Sequence, residues 1–218
     1  PLVLAGGAGG YHIQNSLRFG SGNSGFLSRT AGSSPTNDKI FTWSGWVKLG
    51  RTVEATTDYG ELVNGYTAST DAGFGEFFFY SGALRFSGAI SVWRVTTAVF
   101  RDPSAWYHVV LAVDTTQATA ADRIKIYVNG SEITSFSTNN NPTQNATVGI
   151  NNASTAIRIG RDNAASSTRN MDGYMADVYF IDGQALTPSS FGRTDSITGV
   201  WSPKKYTGTF GNNGFFLE

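Results

Sequence analysis

The sequence predicts an all-β protein, either a sandwich or a barrel. Three observations predict it. Apolar and polar residues alternate at period two in one short run after another, while helical spacing is scarce. Glycine is abundant, at 26 of 218 residues, and Ser, Thr and Asn crowd the segments between the runs. Two dipeptides of hairpin-turn type, Ser81-Gly82 and Asn129-Gly130, each lie between two such runs.

The elements follow in order. In "SLRFG" (16–20), Leu17 and Phe19 face one way and Ser16 and Arg18 the other. "KIFTWSGWVKLG" (39–50) puts Phe41, Trp43, Val47 and Leu49 on one face; Trp46 falls on the other unless Gly45 makes a bulge. "FFFYSGALRF" (77–86) reads as two strands around the tight turn at Ser81-Gly82. In "WYHVVLAVD" (106–114), Tyr107, Val109, Leu111 and Val113 share one face, and Trp106, His108, Val110 and Ala112 the other. Both faces are apolar, which marks an interior strand. After a loop over 115–122, Ile124, Ile126 and Val128 alternate with Arg123, Lys125 and Tyr127. Asn129-Gly130 then turns the chain, and "SEITSF" (131–136) is expected to return antiparallel. "STAIRIG" (154–160) is a short strand and "GYMADVYFID" (173–182) a longer one. "LTPSSFG" (186–192) carries the one good helix signal, with Thr187 as N-cap, Pro188 at the first helical position and Gly192 as the stop. "NGFFLE" (213–218) opens a further strand.

Composition narrows the function. Lys+Arg and Asp+Glu both number 16, so the formal net charge is zero. Without net positive charge the term that dominates nucleic-acid affinity is missing, and no nucleic-acid partner is expected. There are no cysteines, which excludes disulfides, thiol catalysis and Cys-ligated zinc. The apolar stretch Leu2–Ala5 is too short for a signal-peptide core and no basic residue precedes it. No segment approaches the roughly 20 apolar residues of a membrane span, so no membrane insertion is expected. Residues 1–15 read as a flexible, glycine-rich arm, whose Leu2, Val3 and Leu4 would plug into a partner and anchor the protein. The sandwich would occupy 16–191. Residues 192–218 would pack on it or lead to further chain.

Three segments together carry a resemblance: "FTWSGWVKLG" (41–50), "WYHVVLAVD…RIKIYVNG" (106–130) and "IRIGRD…MDGYMADVYFIDGQALTPSSF" (157–191). In this order they resemble the laminin-G/pentraxin-like branch of the concanavalin A-like lectin/glucanase superfamily. The resemblance implies a two-sheet antiparallel jelly-roll β-sandwich, with one short helix near 187–191. The wording of "TTAVFRDPSAWYHVVLAVDTTQATAADRIKIYVNG", "FIDGQALTPSSFG" and "GVWSPKKYTGTFGNNGFFLE" is similar, further, to exterior structural proteins of tailed bacteriophages of marine and cyanobacterial type. That likeness implies a virion protein on the particle exterior, in a tail fibre, spike or head decoration. It would contact other virion proteins through its arm and a host-surface glycan or protein receptor through its lectin-like module. By the fibre and spike analogy it would form a homo-oligomer, with a trimer as the model. A purely architectural cement protein and a secreted carbohydrate-binding module are the alternatives.

The superfamily includes retaining glucanases, which need two carboxylates about 5 Å apart, one as nucleophile and one as acid/base. Of Glu54, Glu61, Glu76, Glu132 and Glu218, no two lie within six residues of each other. Asp172/Asp177 and Asp177/Asp182 are each five apart and so fall on opposite faces of a regular strand. No enzymatic activity is expected. His108 is expected to be a hydrogen-bonded structural histidine, because the resemblance places it in a core strand. No cofactor is required; were Ca²⁺ bound, as in related lectin-like domains, Asp58, Asp71 and Asp162 would be its ligands.

A glycan site pairs an aromatic platform with planar hydrogen-bonding groups. The candidates are Tyr59 and Tyr66, which neighbour Asp58 and Asn64; Trp93 beside Arg94; Asn140 in the Asn139–Asn141 run; and Asp162 with Arg169.

Overall fold

The computed structural model describes residues 10–20, 25–51, 59–153, 155–162 and 169–218. Its strands in chain order are β1 (Leu17–Phe19), β2 (Leu27–Thr30), β3 (Ile40–Leu49), β4 (Tyr59–Tyr66), β5 (Phe74–Tyr80) and β6 (Ala83–Gly88). Then come β7 (Val92–Val99), β8 (Tyr107–Asp114), β9 (Ile124–Val128), β10 (Ser131–Glu132), β11 (Phe136–Asn139) and β12 (Ala156–Ile159). The last are β13 (Gly173–Asp182), β14 (Gly192–Thr194), β15 (Trp201–Pro203) and β16 (Phe215–Leu217).

They build two 7-stranded antiparallel sheets. Sheet 1 runs β1-β13-β3-β8-β9-β10, with β16 also on β13; sheet 2 runs β11-β7-β6-β5-β4-β12-β2. β14 and β15 form a small separate ribbon. Period-two alternation turns one face of each sheet inward. Trp43, Leu111 and Phe180 from sheet 1 meet Val63, Phe77 and Phe86 from sheet 2 in one core. Trp43 packs edge-on against Phe77 at 6.0 Å.

Sheet 1 is apolar on its outer face too. Val110, Tyr179, Ile181, Phe191 and Tyr206 form a second buried cluster there. Residues after 183 cover that face, which explains the two apolar faces of β8. β8 sits between β3 and β9, as its composition predicted.

Both predicted hairpin turns form. Ser81 and Gly82 have φ of 51° and 83°, and Asn129 and Gly130 of 49° and 84°, the positive pair a type I′ turn requires. Two expectations are corrected. First, "SEITSF" does not return as one strand: only Ser131 and Glu132 pair with β9, after which the chain crosses to sheet 2 and pairs β11 with β7. Second, the helix near 187–191 is a 3₁₀ turn, Pro188–Ser190. Thr187 makes no side-chain cap; its hydroxyl meets that of Ser189, and Gly192 opens β14 instead of ending a helix. Trp46 falls on the outer face, as the regular alternation predicts: Gly45 makes no bulge, and β3 pairs with β8 without a shift, with Trp46 opposite His108.

The bulge lies across from Gly45. Ala176 pairs with Trp46 and Tyr179 with Ser44, so Asp177 and Val178 together oppose one residue. Asp177 takes the strained φ of 46°. The extra residue resets the alternation, so that Met175, Val178 and Phe180 all reach the core while Tyr179 and Ile181 reach the outer cluster. β1 pairs with residues 173–175 and β16 with 178–180, so the bulge also separates the two partial strands that share this edge.

Candidate functional site

Two places gather polar chemistry. The first surrounds His108, on the outer face of sheet 1. Its ring lies between the indoles of Trp46 at 5.0 Å and Trp201 at 5.9 Å. Trp201 Nε1–H donates to His108 Nδ1 at 3.0 Å, and His108 Nε2 lies 3.0 Å from Ser44 Oγ. An indole nitrogen can only donate. Nδ1 is therefore the acceptor and Nε2 carries the proton of the neutral ring. Nε2–H points at Ser44 and cannot take the hydroxyl proton, so this Ser–His contact runs opposite to nucleophile activation. Burial pushes the imidazole pKa down to about 3, which keeps the ring neutral. Of its neighbours, Tyr107 packs edge-on against Phe100 of the core, and Trp106 lies beside Tyr174.

The second place is the outer face of sheet 2. A bulge on β4 builds it: Glu61 pairs with Phe78 and Val63 with Phe77, leaving Leu62 as the extra residue. Leu62 and Val63 both enter the core, so Glu61 and Asn64, three apart, share the outer face. Asn64 is opposite Glu76 on β5, and Glu76 is opposite Ser87 on β6. Glu76 accepts from Ser87 Oγ at 3.0 Å and from Arg169 Nη1 at 3.0 Å. Arg169 Nε also lies 3.7 Å from Asp162 Oδ2. A backbone bond from Asp162 N to Arg169 O and the bridge between Arg161 and Asn170 join the two stretches that carry these side chains.

Tyr59 completes the arrangement. The Arg169 guanidinium lies 4.6 Å above its ring. Tyr80 and Phe78 lie beside it at 5.2 Å and 5.8 Å, and Arg85 covers both of those rings. The result is an aromatic platform bordered by an ion-paired arginine and carboxylates.

Glu61 lies beneath this rim with 0% exposure. Neither carboxyl oxygen has a donor at hydrogen-bond distance, and neither does Asn64 Oδ1 have one. The Asn64 amide lies close enough to ease the cost slightly, but its Nδ2–H donates to Arg161 O at 2.7 Å. Burial first, then the charges of Glu76 and Asp162, raise the Glu61 pKa well above the usual carboxylate value. Burial also raises that of Glu76, with Arg169 acting against it.

The comparisons agree with this architecture. The family model described as the concanavalin A-like lectin/glucanases superfamily matches residues 19–190. The chain belongs to that superfamily. Among solved structures, the heptameric SAP-like pentraxin of Limulus polyphemus is similar at 17% identity with a TM-score of 0.56, over 92% of this chain and 93% of that one. A Bacteroides ovatus protein described as carbohydrate-binding aligns at 20% identity and TM-score 0.53, over 81% of this chain and 45% of that one. The LG1-3 region of the laminin α2 chain aligns at 13% identity and TM-score 0.54, over 78% and 31%. At these identities the likeness is one of fold. No curated protein matches.

Within this superfamily domain the predicted site residues separate. Tyr59, Asp162 and Arg169 come together on the outer face of sheet 2. Tyr66 lies on the same face at the far end of β4, 41% exposed and edge-on to Phe74. Trp93 is corrected: it is buried in the core against Phe86 at 5.0 Å, so it offers a ligand no face. Asn140 is exposed but structural: its N–H donates to Trp93 O, its side-chain amide to Val92 O, and its carbonyl accepts from Arg94. Asp71 accepts the backbone N–H groups of Ile90 and Ser91 and so shapes the β6–β7 turn. Among the described residues no three His, Asp or Glu side chains are placed to hold a metal ion. Asp58, Leu2, Val3 and Leu4 lie outside the described residues.

Glu61, Glu76 and Phe78 were not anticipated. Sequence spacing looked for acids on one strand, whereas this group is assembled across β4, β5 and the segment after β12. A signal existed: "GELVNG" and "GEFFF" each set a lone glutamate inside an otherwise apolar or glycine-containing strand. Such a residue has to be buried with partners or exposed on the outer face.

Proposed function

We propose that this domain is a non-enzymatic glycan-adhesion module, displayed on the exterior of a bacteriophage particle. One observation carries the adhesion reading. Tyr59 and Tyr80 are half-buried beside Arg169, Glu76 and Asp162, with Arg169 over one ring and Arg85 over the other, a combination in which the remaining ring surface meets sugar C–H groups and the charged groups meet hydroxyls. The similarly folded Bacteroides ovatus protein described as carbohydrate-binding supports the same direction. Binding is favoured over hydrolysis because Glu61 is enclosed and Glu76 is held by Arg169. A sugar resting on Tyr59 would reach no free carboxylate pair of the kind a retaining glycosidase needs. The virion setting rests on the phage-like wording of three segments and implies display as a homo-oligomer. A glycan array probed with the purified, multivalently displayed domain tests the adhesion reading. Specific binding that is lost with Tyr59→Ala, without release of reducing sugar, is the expected result. Background binding throughout would leave the architectural cement role in its place.

A further inference from the structure

The outer face of sheet 2 carries more arginine than its acids occupy. Arg169 lies over Tyr59 at 4.6 Å, and Arg85 over Phe78 at 5.5 Å and Tyr80 at 5.6 Å. Two more guanidiniums share the ring of Phe26, Arg158 at 4.7 Å and Arg161 at 5.5 Å. Register places them around the platform. Arg158 on β12 is opposite Asn64 on β4, in the row that continues to Glu76 and Ser87, and Arg85 on β6 is opposite Phe78 on β5. All four arginines are half-buried, so part of each reaches solvent, and Phe26 is 38% exposed.

Glu76 and Asp162 both ion-pair with Arg169. Among the described residues no carboxylate ion-pairs with Arg85, Arg158 or Arg161. Glu76 is near enough to feel Arg85, but it accepts its hydrogen bonds from Arg169 and Ser87. Glu61 does little to oppose these cations, because burial favours its protonated form. Donors are also left over. Arg158 Nη1 donates to Asp162 O at 3.2 Å and Arg85 Nε to Ser87 Oγ at 3.4 Å, whereas Arg158 Nε and Arg161 Nε have no acceptor. A chain of zero net charge thus concentrates cations on one face.

We infer, resting on the adhesion reading, that the glycan taken by this face is acidic: its carboxylate or sulfate groups meet Arg85 on one side of the Tyr59–Tyr80 platform and Arg158 with Arg161 on the other. Guanidinium suits such groups. Its planar fork gives two parallel hydrogen bonds to one anion, and its weak hydration makes water easy to displace. The ring beneath each guanidinium restrains it, so less ordering remains to be done on binding. Strand spacing sets the size of the ligand. β6, β5, β4 and β12 are consecutive in sheet 2, and three spacings of ~4.8 Å put Arg85 roughly 14 Å from Arg158 across the sheet. One anionic group cannot meet both, so the ligand is an oligosaccharide with anionic groups on separate residues.

An array of oligosaccharides in matched pairs tests this: oligogalacturonate beside its methyl ester, and a sulfated galactan oligomer beside its desulfated form. Hits are titrated at low and high salt, with and without EDTA. An acidic member is expected to bind about tenfold tighter than its neutral counterpart at low salt. The gap should shrink at high salt and persist in EDTA. R85Q and R158Q/R161Q are each expected to lower acidic binding about tenfold, with the unfolding midpoint and any neutral binding unchanged. R193Q/K204Q removes two charges beside the β14–β15 ribbon instead and is expected to bind as the parent does. An equal loss in that control, or loss of binding in EDTA, overturns the inference. Binding indifferent to the anionic groups overturns it and leaves the adhesion reading standing. Background binding across the whole array overturns both.

Discussion

Trp201 and His108, 93 positions apart, share a hydrogen bond from indole Nε1 to imidazole Nδ1 at 3.0 Å. This contact decides what the Trp-Tyr-His stretch is for. It makes the C-terminal ribbon of β14 and β15 part of the histidine's surroundings, and it fixes the tautomer that points Nε2–H at Ser44. The cluster that looks most like chemistry in the sequence is a joint between the sandwich and its C-terminal cover.

The pH dependence of stability tests that joint. His108 titrates at about 3 in the folded protein against 6.5 for an ordinary histidine. Between these values the unfolded chain binds a proton that the folded chain does not, so stability falls as pH falls from 6.5 toward 3. The slope approaches about 1.4 kcal/mol per pH unit. His108→Gln removes this contribution. Urea unfolding of both proteins between pH 7 and pH 4 is expected to show the parent losing ground to the variant as pH drops. Parallel curves would mean that the buried ring accepts its proton freely.

Glu61 carries the opposite sign. Its folded pKa is raised, so the folded state holds a proton that the unfolded state gives up above the ordinary value of 4.5. The stability associated with that proton is present at low pH and lost as pH rises. Glu61→Gln keeps the neutral shape and brings a donor toward the unpartnered Asn64 Oδ1. The variant is expected to be more stable than the parent at pH 7, by ~1–3 kcal/mol. The gain should shrink toward pH 4.5, as read from denaturation midpoints at the two pH values.

Tyr59 and Trp93 are both aromatic, yet their substitutions should have different effects. Trp93→Ala opens a cavity beside Phe86 and is expected to cost ~3–5 kcal/mol of stability. Tyr59→Ala is expected to lower affinity for an array-identified glycan about tenfold, or ~1.4 kcal/mol, while the fold persists. Calorimetric unfolding alongside titration with that glycan separates the two. A stable Trp93→Ala protein with lost binding would return Trp93 to the site.

Gly130 and Gly199 separate backbone strain from crowding. Their φ values are +84° and +70°, so alanine is strained at both. Around Gly199 a Cβ meets open space, whereas at Gly130 it would lie 2.5 Å from the Trp201 indole. Gly199→Ala is expected to cost ~1 kcal/mol and Gly130→Ala ~2–3 kcal/mol. Only Gly130→Ala should also shift tryptophan fluorescence. Equal costs would remove the indole from the account.

Much of the fold is legible in the chain, and for a local reason. Side chains alternate with period two along a strand, so Phe41, Trp43 and Val47 announce a buried face. Ser81-Gly82 and Asn129-Gly130 announce their turns because few residues accept positive φ. Bulges are less visible. Nothing local distinguishes Leu62 or Asp177 as an extra residue, since a bulge is defined by what the partner strand lacks.

By itself, then, the sequence determined the class, most of the strands of sheet 1, the two tight turns and the superfamily resemblance. The class, strands and turns follow from periodicity and local motifs, and the resemblance from the order of three such motifs along the chain. Only the tertiary structure decided which polar residues meet. Glu61, Glu76, Asp162 and Arg169 come from three stretches of chain, and a bulge in β4 adds Asn64 to the face they share. Trp93 left the site and Tyr59 stayed in it for a related reason. Whether an aromatic ring fills a core or faces outward depends on the register of neighbouring strands, and that register is set across the sheet rather than along the chain.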